Sequence, residues 1–104
     1  MLEKIWSEAS IIADFINDCT CEIFIEDEKI KRAVCMTLIN IGELVKLVSD
    51  ELKQSNSSVP WRSIAGLRDV AAHGYMTLRM EDIWETVSED LPTLKKQIEK
   101  LLKI

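Results

Sequence analysis

The chain has 104 residues, of which 47% are hydrophobic and 30% are charged. This length supports one hydrophobic core and is too short for two domains of ordinary size, so we expect residues 1–104 to form a single domain. Thirteen Lys and Arg residues against eighteen Asp and Glu residues give a net charge of −5. Such an acidic balance argues against nucleic-acid binding through a broadly basic surface.

The charges are unevenly distributed along the chain. Residues 1–28 contain eight acidic residues and one lysine, whereas residues 61–80 contain three arginines and one aspartate. A local cleft in the second of these stretches can therefore hold a polyanion, although the chain as a whole is acidic.

The sequence predicts neither a membrane-spanning segment nor a metal site. No apolar run approaches the roughly 20 residues that span a bilayer, and the N-terminus has no basic segment followed by an apolar one, so we expect a cytoplasmic protein without membrane contact. The cysteines, Cys19, Cys21 and Cys35, have neither the CxxC spacing of a redox site nor the spacing of a zinc site. We expect buried or unreactive thiols, no metal and no cofactor.

Helical periodicity dominates the first half of the chain. Apolar residues at spacings of three and four, starting at Leu2, predict a helix that ends near Asn17. Residues 19–26 are compatible with a helical turn or with an extended link. Asp27 is a predicted cap for a long second helix, whose apolar periodicity continues to Leu52.

The second half is also predicted to be helical. Residues 54–60 are polar and aperiodic, which predicts a loop, and a third helix should begin near Pro60 and weaken at Gly74. The last apolar run keeps its phase through Pro92, which predicts a kinked helix or two helices meeting at a kink. The predicted fold class is all-α, an antiparallel up-and-down bundle of four to five helices.

The chemically distinctive segment is residues 68–75, which contains the only histidine, His73, and the only tyrosine, Tyr75, together with Arg68 and Asp69. Histidine exchanges protons near neutrality because its unperturbed pKa is about 6.5, and a guanidinium is a permanent cation suited to phosphate. The combination points to phosphoryl-transfer chemistry.

The spacing within this segment restricts how a site can form. Arg68 and His73 lie about 140° apart on an ideal helix and do not share a face, whereas Arg68 and Tyr75 nearly do. Either the helix unwinds at Gly74, or a second copy of the chain completes the site. We favour the second copy, because cleavage of RNA by its own 2′-hydroxyl needs both a base and an acid, and one histidine supplies one of these at a time.

Each residue then has a predicted role. His73 removes the proton of the 2′-hydroxyl, its symmetry mate or a water protonates the leaving oxygen, and Arg68 neutralises the phosphorane. Asp69, four residues before His73, is expected to fix the imidazole tautomer, and Tyr75 to stack on a base or hydrogen-bond a phosphate. No metal is required.

A purely structural interpretation also fits the spacing. A histidine near a helix end commonly caps carbonyl groups, and an Arg-Asp pair is commonly a surface ion pair. Spacing alone favours this interpretation over catalysis. The tryptophans, Trp6, Trp61 and Trp84, lie on or beside apolar stripes and are expected to anchor the core.

The wider pattern resembles the Arg-x4-His-x-Tyr signature of the HepT-like toxins, a branch of the HEPN superfamily of small helical ribonucleases. Residues 40–43 (Asn-Ile-Gly-Glu) resemble an element of that family's long helix. Residues 60–68 resemble its approach to the catalytic arginine, and residues 83–92 resemble the helix that follows. The similarity covers nearly the whole chain.

The resemblance implies a homodimeric, metal-independent endoribonuclease with an RNA substrate and clefts built from Arg68 and His73 of both chains. It also implies a minimal nucleotidyltransferase antitoxin, which silences the toxin by transferring AMP to Tyr75. Asp69 departs from the asparagine that relatives often carry, and its charge would partly neutralise Arg68. The alternative is a noncatalytic nucleotide-binding or adaptor subunit that regulates the transferase.

Overall fold

A computed structural model describes residues 1–77 and 80–102, with only the backbone for residues 73–77. Throughout this part of the chain the fold is all-α, without strands, as predicted. Its elements are α1 Leu2–Phe15, α2 Cys21–Glu26, α3 Glu28–Lys46, α4 Asp50–Ser55, α5 Trp61–Ala65, α6 Leu67–Thr77, α7 Met80–Glu85, a π-helical segment Thr86–Asp90, and α8 Leu91–Leu102. None of these helices is long and apolar enough to cross a membrane.

The connection between α1 and α2 is a short turn. Helix α1 ends at Phe15, two residues before the predicted end, and the chain turns at Asp18 with a φ of 60°. Aspartate tolerates this left-handed conformation better than most residues. The ambiguous segment 19–26 is resolved as helix α2, which is capped by Thr20: its hydroxyl oxygen accepts a hydrogen bond of 3.2 Å from the Ile23 N–H.

Helix α3 is shorter than predicted. Asp27 caps its start as expected, because the carboxylate accepts a 3.0 Å hydrogen bond from the Ile30 N–H. The prediction of one helix reaching Leu52 is wrong, because Ser49 caps a separate helix, α4, by accepting from the Leu52 N–H. The apolar periodicity crosses this break because Val48 and Leu52 both pack on the same core.

The predicted third helix is divided at Gly66 into α5 and α6. Glycine is among the weakest helix formers, which favours a break at this residue. The prediction that the helix weakens at Gly74 is wrong, because α6 remains helical as far as Thr77. Arg68 therefore lies in the first turn of α6 and not in the middle of a longer helix.

The last helical unit confirms the unbroken phase across Pro92 and shows how it arises. Helices α7 and α8 are joined by the π-helical segment, and Pro92 is the second residue of α8. A proline has no N–H to donate to the carbonyl four residues earlier, and a π-helical turn is one way to accommodate such a defect. Ile83 and Ile98, on either side of the joint, are both buried.

The core surrounds α3, which packs against α1, α2, α5 and α6. Its largest fully buried side chains are those of Phe24, Ile5, Ile12, Leu38, Ile41, Ile83 and Ile98. The predicted role of the tryptophans is confirmed: Trp61 is buried, and Trp6 and Trp84 are half-buried against the core.

The packing of α3 on α6 depends on Gly42. A Cβ atom at this position would lie 2.7 Å from the Arg68 Cβ, 2.8 Å from the Arg68 backbone nitrogen and 3.0 Å from the Ala65 carbonyl oxygen. Two of these three atoms belong to the backbone and cannot move without displacing a helix. The absence of a side chain is therefore what allows the first turn of α6 to lie directly on α3.

We expect Gly42→Ala to lower the free energy of unfolding by about 1–3 kcal/mol, because the added methyl group overpacks this contact. The measurement is urea denaturation followed by circular dichroism. Gly66→Ala is the matched control: its Cβ would lie 3.3 Å from the Ser63 carbonyl oxygen, and its backbone is already helical. That variant should stay within about 1 kcal/mol of wild type. Equal stability of the two variants would contradict the proposed role of Gly42.

Candidate active site

The described part of the site is centred on Arg68. Its backbone lies against Gly42, and its side chain is 40% exposed. The Nε atom forms an ion pair with the Glu43 Oε1 atom at 3.1 Å, and the Nη1 atom donates a hydrogen bond to the Asp69 Oδ1 atom at 3.1 Å. The guanidinium therefore stands at the surface between two carboxylates, one from α3 and one from its own helix.

Asp69 pairs with Arg68, the residue that precedes it. The contact predicted between its carboxylate and the imidazole of His73 involves a side chain outside the described residues and remains a prediction. The side chains of His73 and Tyr75 lie outside the described residues, so their predicted interactions remain predictions. Their backbone belongs to α6.

Helix α6 is continuous across Gly74, which bears on how Arg68 and His73 could come together. Unwinding at Gly74 was one way to bring Arg68 and His73 together, and it is excluded because α6 continues to Thr77. On this helix the two residues retain their angular separation of about 140°. The backbone of one chain therefore does not bring both residues to one face of the helix.

The contact of Glu43 with Arg68 was not predicted from the sequence. Glu43 is the last residue of segment 40–43, and no function was assigned to it. Its Oε1 atom also lies 3.7 Å from the Lys46 Nζ atom, so this carboxylate contacts cations on two helices. Helical spacing within one segment could not reveal the pair with Arg68, because it forms between α3 and α6.

A groove of about 440 Å³ lies between α1 and α3 beside this site. Asn40 on α3 crosses it by donating through Nδ2 to the Glu8 Oε1 atom on α1 at 3.3 Å. The groove is lined by Glu3, Lys4, Ser7, Glu8, Ile11, Asn40, Glu43, Leu44 and Leu47. Three glutamates against one lysine make its lining acidic, so the groove is a poor site for a phosphate.

The cysteines do not supply the site with a nucleophile. Cys35 is buried, and burial raises the pKa of its thiol, with Lys31 acting in the opposite direction. Burial and then the negative charge of Asp27 raise the pKa of the Cys19 thiol. Thiols with raised pKa values stay protonated at neutral pH and are weak nucleophiles. Among the described residues, no group of His, Cys, Asp or Glu is arranged to hold a metal ion.

Comparison with known families identifies the class of protein to which this all-α chain belongs. The family model described as ribonuclease HepT-like matches residues 5–101. This chain belongs to the HepT-like ribonuclease family, within the HEPN superfamily.

Individual relatives cover nearly the same range. A candidate RNase of Caldanaerobacter subterraneus subsp. tengcongensis is 35% identical over 98% of this chain and 91% of its own length. A protein of Thermococcus cleftensis that carries the name ribonuclease HepT is 36% identical over 98% of this chain and 93% of its own. A candidate RNase of Methanocaldococcus jannaschii is 38% identical over 88% of this chain and 76% of its own. No solved structure shows a significant match.

Proposed function

We propose that this chain is a metal-independent endoribonuclease and the toxin of a toxin–antitoxin pair. The observation that carries the proposal is the Arg-x4-His-x-Tyr pattern on a single helix, α6, in a chain of the HepT-like ribonuclease family. Arg68, at the start of that helix, is partly exposed and lies where an RNA phosphate can reach it.

The proposed reaction is attack of a ribose 2′-hydroxyl on the adjacent phosphate. His73 takes the hydroxyl proton, the 2′-oxygen bonds to phosphorus, and the bond to the 5′-oxygen breaks as the partner's His73 or a water protonates it. The products are a 2′,3′-cyclic phosphate and a free 5′-hydroxyl. Arg68 stabilises the charge that develops on the phosphorane oxygens. Proton transfer and charge stabilisation both come from side chains, so a metal ion has no necessary role.

The reaction is proposed to take place in a homodimer. One α6 helix directs Arg68 and His73 about 140° apart, so a cleft that contains both is built more simply from two chains. A closed two-fold dimer would bring two copies of each residue to one cleft and supply both the acid and the base.

Exposed apolar side chains support a candidate face for this dimer. Ile11 and Phe15 on α1 share a stripe with Glu8. Met36 on α3 and Leu47, which directly follows α3, share a stripe with Asn40, and the Glu8–Asn40 hydrogen bond joins the two stripes. All four apolar residues are exposed, Met36 by 58% and Leu47 by 68%. A row of this kind on a water-soluble helical protein marks an interaction surface.

The proposed antitoxin is a minimal nucleotidyltransferase that transfers AMP to Tyr75. Seven residues separate Tyr75 from Arg68, so both lie on nearly the same side of α6. An AMP group on the tyrosine would add a phosphate charge and a nucleoside near Arg68, where an RNA phosphate is proposed to bind. Modification would therefore inhibit the enzyme by occupying its substrate site.

Substitution of the motif tests the catalytic proposal. We expect Arg68→Ala and His73→Ala each to reduce RNA cleavage about 10²-fold or more, because one removes charge stabilisation and the other removes proton transfer. The measurements are cleavage of total RNA by purified protein and growth arrest in cells without the antitoxin. Arg62→Ala, an exposed arginine of α5, is the control and should retain activity. If wild type and His73→Ala are equally harmless, the chain is a noncatalytic adaptor.

The modification has a separate test. Tyr75→Phe should prevent AMP transfer, because it removes the acceptor oxygen, and should leave most of the RNA cleavage in place. Mass spectrometry of toxin co-expressed with the transferase measures the added AMP. An adduct on another residue, or an unchanged adduct in the variant, would refute Tyr75 as the acceptor.

The dimer face is tested by introducing charge. Leu47→Glu and Met36→Glu should shift the solution mass from twice the chain mass to the single-chain 11.9 kDa, because an unpaired charge is costly in an apolar interface. Light scattering gives the mass, and RNA cleavage should fall in parallel. Ile23→Glu, on the exposed side of α2, is the control and should remain dimeric. A dimer that survives both charged substitutions is formed by another face.

A further inference from the structure

We propose that Glu43 is a positioning residue for Arg68, a role that deepens the proposed ribonuclease function and rests on it. Two consecutive residues of α3 contact Arg68 in different ways. Gly42 admits the backbone of Arg68 to within contact distance, and the Glu43 Oε1 atom forms an ion pair with its Nε atom at 3.1 Å. Backbone and guanidinium of the same arginine are therefore both located by one turn of α3.

The atoms involved decide which part of the guanidinium remains for RNA. Arginine has five N–H donors, on Nε, Nη1 and Nη2. The Glu43 carboxylate forms an ion pair with Nε, and Asp69 accepts a hydrogen bond from one donor on Nη1. Within the described part of the chain, the remaining donors lie on Nη1 and Nη2, at the end of the guanidinium. Held in this way, Arg68 presents its end, and not its Nε side, to a phosphate.

The exposure of the pair indicates that orientation, and not stability, is its main effect. The Arg68 side chain is 40% exposed and that of Glu43 is 53% exposed. Ion pairs this exposed are screened by water and contribute little to folding. An arginine side chain that is not held samples many rotamers, so fixing it in advance reduces the entropy lost when the phosphate binds. Removal of Glu43 should therefore alter catalysis in a protein that stays folded.

The charge of Glu43 makes the expected kinetic effect distinctive. A carboxylate beside the phosphate site repels RNA, so its removal should not weaken substrate binding. If Glu43 positions Arg68, Glu43→Ala lowers kcat while KM stays the same or falls. If Glu43 only masks the arginine, the same substitution raises kcat/KM. If Glu43 only supports the fold, neither pattern occurs and the variant unfolds more easily.

The test compares wild type, Glu43→Ala and Glu43→Gln, with Glu51→Ala on the exposed side of α4 as a control of equal charge change. We expect Glu43→Ala to lower kcat about 10-fold to 100-fold without raising KM, in line with the effect of misplacing a catalytic group. Glu43→Gln keeps a polar oxygen at the same reach from Nε and should recover most of the loss. The control should match wild type. An unchanged or increased kcat in Glu43→Ala would overturn the proposal.

A second readout is independent of enzymatic activity. The Arg68 Nε–H signal in a 15N-correlated NMR spectrum, assigned by its loss in Arg68→Lys, should exchange slowly with water in wild type and Glu43→Gln and rapidly in Glu43→Ala. Equal exchange in all three would overturn the positioning role even if kcat changed. If wild type cleaves no RNA, the proposed function fails, and the NMR comparison still decides whether Glu43 holds Arg68.

Discussion

The close approach of α3 and α6 at Gly42 determines where Arg68 lies. With only a hydrogen on this residue, the first turn of α6 lies directly on α3, and Ala65 and Arg68 come within contact distance. Glu43, the next residue along α3, then reaches the guanidinium of Arg68 at 3.1 Å. Both contacts are made by regular helices whose relative position is fixed by core packing. The described part of the site is thus built where two helices pack directly on each other.

The regular geometry of these helices also limits which residues one chain can bring together. Because α6 runs without interruption past Gly74, the backbone positions of Arg68 and His73 lie about 140° apart around the helix axis. A flexible loop could bring two such residues together, whereas a helix cannot. The dimer that we propose follows from this geometry and from exposed apolar residues such as Leu47 and Met36, beside the Glu8–Asn40 hydrogen bond.

Electrostatics explain how an acidic chain can act on a polyanion. Arg68 is flanked by Glu43 and Asp69, and the neighbouring groove between α1 and α3 is lined mainly by acids. Such a surface offers RNA few attractive contacts away from the cleft, so binding depends on a small number of directed donors. Asp69 adds to this restraint by pairing with Arg68. A surface of this kind favours selective engagement of RNA over general affinity.

The sequence by itself determined the helical class, the cap at Asp27 and the continuous apolar face across Pro92. These features depend on residue spacing and on residues that are close in the chain. It also contains the motif of residues 68–75, from whose residue types the proposed chemistry is inferred. Tertiary structure decided the breaks at Ser49 and Gly66, since periodicity continues across both when the adjoining segments share one core. It alone revealed the pair of Glu43 with Arg68, because that contact joins two helices whose relative position depends on packing over the whole chain.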